Sequence, residues 1–234
     1  MIVLGIDTST GQTSVALGTN SELVGAMQFA GVRRHDDVAP AVERLLEWTG
    51  IELGHVAGVA VGIGPGLFTG LRVGVEAAKT LAQVLRVPIV GVSSLDVLAF
   101  AVRTTRRRIG AVLDARRGEV FFAFYRSVHG GVIREGEYRV DRPGALAAEL
   151  QADPEEVLLV GNGAMLYRRV FEEPGHVGFA PAALAHPWAS ALVELSAARF
   201  IREETDRPVD VVPLYLRKTD AEIGWDRRAR GASA

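Results

Sequence analysis

Read as a pattern of apolar and polar positions, the chain falls into two stretches that run through the same order of elements. Short apolar runs at residues 2–7, 14–18 and 23–29, separated by turn residues, predict three strands, and over residues 37–49 the apolar positions recur at helical spacing. A buried strand follows at 56–61, then a glycine-rich loop, a long helix from Thr69 to about Leu85, a strand at 88–92 and a short helix after Ser93. The order is βββαβαβα. The second stretch predicts strands at 109–114, 119–125 and 132–140, a helix from Pro143, a strand at 157–160, and helices from Ala164 and Trp188.

Local detail sharpens the duplication. Asp7 and Asp114 each close an apolar strand and each meets a glycine four residues on, Gly11 and Gly118; Gly62-Ile-Gly64 is matched by Gly161-Asn-Gly163. Two such repeats describe an α/β protein of two ribonuclease-H-like lobes of the actin-like ATPase superfamily, each a mixed sheet with helices, divided as residues 1–103 and 104–234 with a C-terminal tail in the second. In that architecture two opposed turns cradle nucleotide phosphates through backbone N–H groups while aspartates hold a metal, which makes Asp7, Thr8, Ser9 and Asp114 a vestigial nucleotide site to test. An ordinary aspartate-capped turn is the competing reading.

The long helix carries more apolar surface than one sheet consumes. Leu71, Val75, Ala78, Ala82 and Leu85 share the face expected to cover the sheet, and Gly70, Gly74, Ala77, Leu81 and Val84 form a second face about 100° around. Small residues four apart let another helix approach closely, the chain's own or a partner's. On the first helix, Val38, Val42 and Leu45 point to the core, with Ala41 and Trp48 widening the apolar arc on one side; Trp48 suits the core and an interface equally.

Composition narrows the function classes. With 26 basic and 28 acidic residues the formal charge is -2, so no whole-protein field draws in nucleic acid, and the arginines at 106–108, 116–117 and 227–230 read as solvated surface. The absence of cysteine removes thiolate nucleophiles, thiolate metal ligands and disulfides together, and suits a reducing compartment. No uncharged apolar run approaches the ~20 residues of a spanning helix, and no basic segment precedes the first apolar run, so a cytoplasmic protein without membrane contact is expected.

The densest punctuation lies in Gly62-Ile-Gly-Pro-Gly-Leu-Phe-Thr-Gly-Leu-Arg-Val-Gly74, where Pro65 between glycines sets a turn and Thr69 is placed to cap the helix. A helix start can bind an anion, but no Gly-Lys-Ser/Thr follows, so a packing turn competes with a phosphate cradle. The stretch resembles the G-x-G-P-G-S-F-T-G-L-R-x-G signature of the TsaB (YeaZ) family, carried here by Gly64, Pro65, Gly66, Phe68, Thr69, Gly70 and Arg72, with Leu67 in place of the usual serine. Gly5-Ile-Asp-Thr-Ser9, His35, Gly91-Val-Ser-Ser-Leu-Asp96 and Pro213-Leu-Tyr-Leu-Arg217 extend the resemblance over nearly the whole chain.

That resemblance implies a non-catalytic partner of the catalytic subunit TsaD in threonylcarbamoylation of the tRNA adenosine beside the anticodon. It implies a TsaE-like ATPase in a larger complex, indirect contact with tRNA, ATP or ADP and metal on the catalytic partner, and no cofactor or metal of its own. It also implies a partner surface of the first two helices, with Ala41, Trp48, Gly70, Gly74, Ala77, Leu81 and Val84, whose spare apolar face predicts a homodimer when the chain is alone. The residues agree in part. Catalytic relatives carry His-x-x-x-His on the first helix, whereas His35 is followed four residues on by Ala39, and the second turn reads Asp114-Ala-Arg-Arg-Gly118 where they are glycine-rich. A small-molecule kinase, with Asp7 or Asp96 as base and Gly161 to Gly163 at the adenine, and a glycoprotease-like metallopeptidase, disfavoured because His-Glu-x-x-His is absent, are the alternatives.

Overall fold

The structure, a computed structural model, describes residues 1–30 and 38–217. The first sheet is built from β1 (Ile2–Asp7), β2 (Gln12–Gly18), β3 (Leu23–Ala30), β4 (Val56–Gly64) and β5 (Ile89–Ser93), in the order β3-β2-β1-β4-β5. β1 runs antiparallel to β2 and parallel to β4. The second sheet, from β6 (Arg108–Arg116), β7 (Glu119–Val128), β8 (Gly131–Asp141), β9 (Val157–Val160) and β10 (Val177–Phe179), repeats that order as β10-β9-β6-β7-β8. The expected fold of two ribonuclease-H-like lobes is the one found. Val177-Gly-Phe179 was not predicted as a strand; at three residues its pattern carries no period.

Helices cover both faces of each sheet, which is why β1, β4, β6 and β9 are apolar in nearly continuous runs rather than alternately. α1 (Val38–Thr49) and α2 (Phe68–Leu85) pack on one face of the first sheet through Val38, Val42, Leu45, Val75, Ala78 and Ala82. α4 (Pro143–Ala152), α5 (Asn162–Leu166) and α6 (Arg168–Phe171) cover the outer face of the second through Leu146, Leu150, Ala164 and Phe171.

The two remaining helices are exchanged between the halves. α3 (Ser94–Ala101) follows the first sheet in the chain but places Leu95, Leu98 and Ala99 in the core of the second, against Ile109, Leu113 and Val160. α7 (Ala189–Ile201) follows the second sheet but lays Ala189, Leu192, Val193 and Phe200 on the first, against Val3, Ala16 and Val90. A cut after residue 103 separates the sheets but not these middle layers, since each half completes the other's core. The tail continues the stitching: Asp206 bridges to Ile89, Leu214 donates its N–H to the Ile63 carbonyl at 2.7 Å, and Arg217 reaches Glu119 of β7 at 2.6 Å.

α2 begins one residue earlier than the sequence suggested. Its cap position is Leu67, with no side-chain cap, so Thr69 sits in the first turn and does not close the helix. The loop is anchored by backbone instead: Leu67 donates its N–H to the Ser9 carbonyl at 2.7 Å. No helix among the described residues is long and apolar enough to cross a membrane. His35 and the arginines at 227–230 lie outside the described residues.

Candidate functional site

The turn after β1, singled out in the sequence as a vestigial nucleotide site, is filled by the chain itself. Asp7, Thr8, Ser9 and Thr10 are all buried. Thr8 donates its hydroxyl to the Gly70 carbonyl at 2.7 Å, across 62 residues of sequence. A Cβ on Gly74 would overlap that hydroxyl, and one on Gly66 would overlap the Ser9 carbonyl oxygen. The glycines of the signature loop and first turns of α2 are therefore the means by which this loop lies flat on the β1–β2 turn. The packing-turn reading of the loop is the one its contacts support, and Pro65 is itself buried.

Asp7 is committed inward. Its Oδ1 accepts from the Ser9 N–H at 2.9 Å and the Ser9 hydroxyl at 2.7 Å, and its Oδ2 accepts from the Ser94 hydroxyl at 2.9 Å. Gly62 passes so close that any side chain there would strike Asp7 Oδ2. Burial pushes the Asp7 carboxyl above the ordinary carboxylate range, against the lowering effect of its three hydrogen bonds. Thr10 is sealed by His186, whose Nδ1 lies 3.0 Å from its hydroxyl and whose own pKa burial lowers.

The second turn is built differently. Asp114 accepts from the Arg116 N–H at 2.9 Å and pairs with the Arg116 guanidinium at 3.3 Å, while its own N–H goes to Asn162 Oδ1 at 3.0 Å. Arg116, Arg117 and Gly118 all have positive φ, 62°, 57° and 75°, so two bulky side chains stand where a glycine cradle would leave bare backbone. Neither turn fits a phosphate-and-metal site of the kind the fold uses elsewhere.

The two helices of the expected partner surface leave an apolar groove between them of about 1070 Å³, lined by Val38, Val42, Leu46, Ile51, Ala77 and Leu81. Glu43, Glu47, Glu52 and Glu76 also line it, and among the described residues no lysine, arginine or histidine does. Of the residues singled out for this surface, Trp48 and Val84 are each 72% exposed, Ala77 and Leu81 are half-buried in the groove, and Ala41, Gly70 and Gly74 are closed inside the fold. Gly74 faces Thr8 and not the groove, because the β1–β2 turn occupies the close approach its small size allows, and the Gly70 carbonyl accepts from the same hydroxyl. Phe68, 42% exposed, stacks on Tyr215 with centroids 5.3 Å apart, and Arg72 lies over its ring at 5.4 Å.

Among the described residues, three arginines of the clusters at 106–108 and 116–117 are paired within the fold. Arg107 pairs with Glu156, Arg108 with Glu135 and Asp153 while lying 4.0 Å over the Phe124 ring, and Arg116 with Asp114. Asp96, weighed as a kinase base, instead takes the hydroxyls of Tyr125 and Tyr138 at 2.8 and 2.9 Å. Ser94, Asn162 and His186 were missed by sequence reasoning. Ser94 stands inside the Gly91 to Asp96 motif, and Asn162 between the paired glycines, so both carried a local signal; His186 carried none.

The comparisons agree with this geometry. The family described as "TsaD: tRNA N6-adenosine threonylcarbamoyltransferase" matches residues 28–225. A Bacillus subtilis (strain 168) relative, "tRNA threonylcarbamoyladenosine biosynthesis protein TsaB", is 33% identical over 96% of this chain and 98% of its own. Among solved structures, "YeaZ from Pseudomonas aeruginosa" superposes with a TM-score of 0.78 at 28% identity, covering 92% of this chain and 99% of that one. A ROK hexokinase from Thermus thermophilus superposes at 0.51 with 12% identity, over 82% of this chain and 98% of that one, a likeness of fold alone. Matched at 33% identity over 96% of its length by a relative named TsaB, and superposed over 92% of it on a YeaZ structure, the chain belongs to the TsaB (YeaZ) family.

Proposed function

We propose that this chain serves tRNA threonylcarbamoyladenosine biosynthesis as a non-catalytic subunit, binding a TsaD-like catalytic subunit through the α1–α2 groove. The observation that carries the reading is the groove itself: an apolar trough rimmed by four glutamates. An apolar centre with a rim of one sign suits a protein partner that brings apolar side chains ringed by cations. A relative named for tRNA threonylcarbamoyladenosine biosynthesis supports a partner from the same system. The β1–β2 turn filled by the chain's own loop favours leaving ATP or ADP and metal to the catalytic subunit, with a TsaE-like ATPase joining the larger assembly and tRNA contacted indirectly. The net charge of -2 and the internally paired arginines are consistent with that indirect role. The site of action on this reading is the cytoplasm, and the isolated chain forms a homodimer through the same groove.

The test is reconstitution: tRNA modification by the catalytic subunit with and without this chain, alongside ATP turnover by the chain alone. The reading expects modification only when both are present and no sustained turnover by the chain. Modification that proceeds unchanged without the chain would sink it.

A further inference from the structure

A cavity of about 550 Å³ lies between the lobes where β5, α3, β8 and α7 meet, and no residue of either aspartate turn lines it. Its volume is that of a small-molecule site, and Val92, Phe100, Leu195 and Leu214 give it apolar walls. Among the described residues five charged side chains face it, and three are already spent. Glu194 pairs with Arg103; Arg199 donates to the Gly91 carbonyl and to Asp206; Arg202 holds Glu204 through two nitrogens.

Asp96 and Arg134 remain. Asp96 Oδ1 accepts from the Tyr125 hydroxyl at 2.8 Å, and the Tyr138 hydroxyl lies 2.9 Å from both Oδ1 and Oδ2, so among the described residues Oδ2 has no donor to itself although a carboxylate can accept about four hydrogen bonds. Arg134 donates from Nε to the Gly136 carbonyl at 2.9 Å and stacks 3.8 Å over the Tyr138 ring, leaving its terminal nitrogens without a partner among the described residues. Tyr138 thus holds the two charges apart, the guanidinium over its ring and the carboxylate at its hydroxyl. Burial raises the Asp96 carboxyl above its ordinary range, while the tyrosine hydroxyls and the Arg134 charge pull it down. A lone anion would meet Asp96 and a lone cation would meet Arg134; a molecule bearing both signs satisfies both.

We propose that this cavity binds a small zwitterion of the α-amino-acid type, with its ammonium on Asp96 Oδ2, its carboxylate on the Arg134 terminal nitrogens and its apolar side chain against Val92, Phe100 and Leu195. The inference stands apart from the groove and from any protein partner.

The test is calorimetric titration of the full chain at neutral pH with L-leucine, L-methionine and L-phenylalanine, each to about 10 mM. At least one should bind saturably, and its amide and its N-acetyl derivative, each lacking one charge, should bind at least about ten-fold more weakly. Asp96→Asn also disturbs two tyrosine hydroxyls, so Arg134→Gln is the cleaner variant: its melting temperature should match the parent's and its binding should fall by the same factor. Absence of binding by all three amino acids, equal binding of the singly charged derivatives, or full binding by Arg134→Gln would each overturn the assignment.

Discussion

Thr8 and Gly74 meet hydroxyl to bare backbone: Thr8 donates to the Gly70 carbonyl at 2.7 Å, and the helix turn that follows passes so close that a Cβ on Gly74 would overlap the same hydroxyl. This contact seats α2 on the β1–β2 turn, and the glycines of the sequence signature are what permit it. Gly74→Ala should therefore cost about 2–3 kcal/mol, as overpacking at a rigid contact does. Thr8→Ala, which loses a buried hydrogen bond, should cost about 1 kcal/mol. The double variant should be more stable than the sum predicts by about 1 kcal/mol or more, since the second change clears room for the first. Strict additivity in urea melts would show that the two residues do not share this contact.

Asp7 gives a pH prediction. Its folded-state pKa is raised by burial, so the folded protein holds the Asp7 proton more tightly than the unfolded chain does. The contribution is favourable below the ordinary carboxylate pKa and is lost as pH rises through the raised value. Asp7→Asn keeps an acceptor for Ser9 and presents an amide donor to the Ser94 hydroxyl without a buried charge. It should melt above the parent at pH 8, with the gap closing as the pH falls toward the ordinary carboxylate range. An Asp7→Asn protein less stable than the parent at pH 8 would mean that the charged form is held favourably.

What could be read in the sequence was what local pattern and duplication dictate. β1, β4, β6 and β9 were legible because strands buried on both faces carry unbroken apolar runs, and the two aspartate turns were legible because the repeat marks each twice. The exchange of α3 and α7 was not, since an apolar face does not say which sheet it covers. His186 on Thr10 joins residues 176 apart, and Ser94 on Asp7 residues 87 apart. Thr69 had the chemistry of a cap, but the Leu67 N–H found the Ser9 carbonyl first, and the helix starts ahead of it. Gly70 and Gly74 signalled close approach correctly; what approaches is the chain's own turn.

The acidic rim of the groove sets the salt dependence. Glu43, Glu47, Glu52 and Glu76 line it, and although Glu47 is paired with Arg44 and Glu76 with Lys79, those pairs are exposed and weak. A two-fold dimer through this groove sets acid against acid. Self-association should strengthen as ionic strength rises from about 0.05 to 0.5 M, because screening removes the repulsion, whereas a complex with a cation-rimmed partner should weaken over the same range. Sedimentation at both salts measures the first and titration with the catalytic subunit the second. A homodimer that dissociates as salt is added would place its contacts elsewhere.

Ala77→Arg separates a groove that receives a partner from one that merely remains between two packed helices. Ala77 is half-buried on the groove wall beside Glu76, and the groove opens to solvent, so in the free subunit the long side chain can run along it and place its charge near the glutamate rim. The melting temperature should then stay within about 2 °C of the parent. In a complex the same cation fills the trough and loses its water, and affinity for the catalytic subunit should fall by about 100-fold or more, equivalent to about 3 kcal/mol. Trp48→Ala, at a side chain 72% exposed in the free chain, should likewise leave stability unchanged and weaken binding. Both variants melting with the parent and binding as the parent does would remove the groove from the interface. Ala77→Arg melting far below the parent would show that α1 and α2 close on each other more tightly than the groove between them implies.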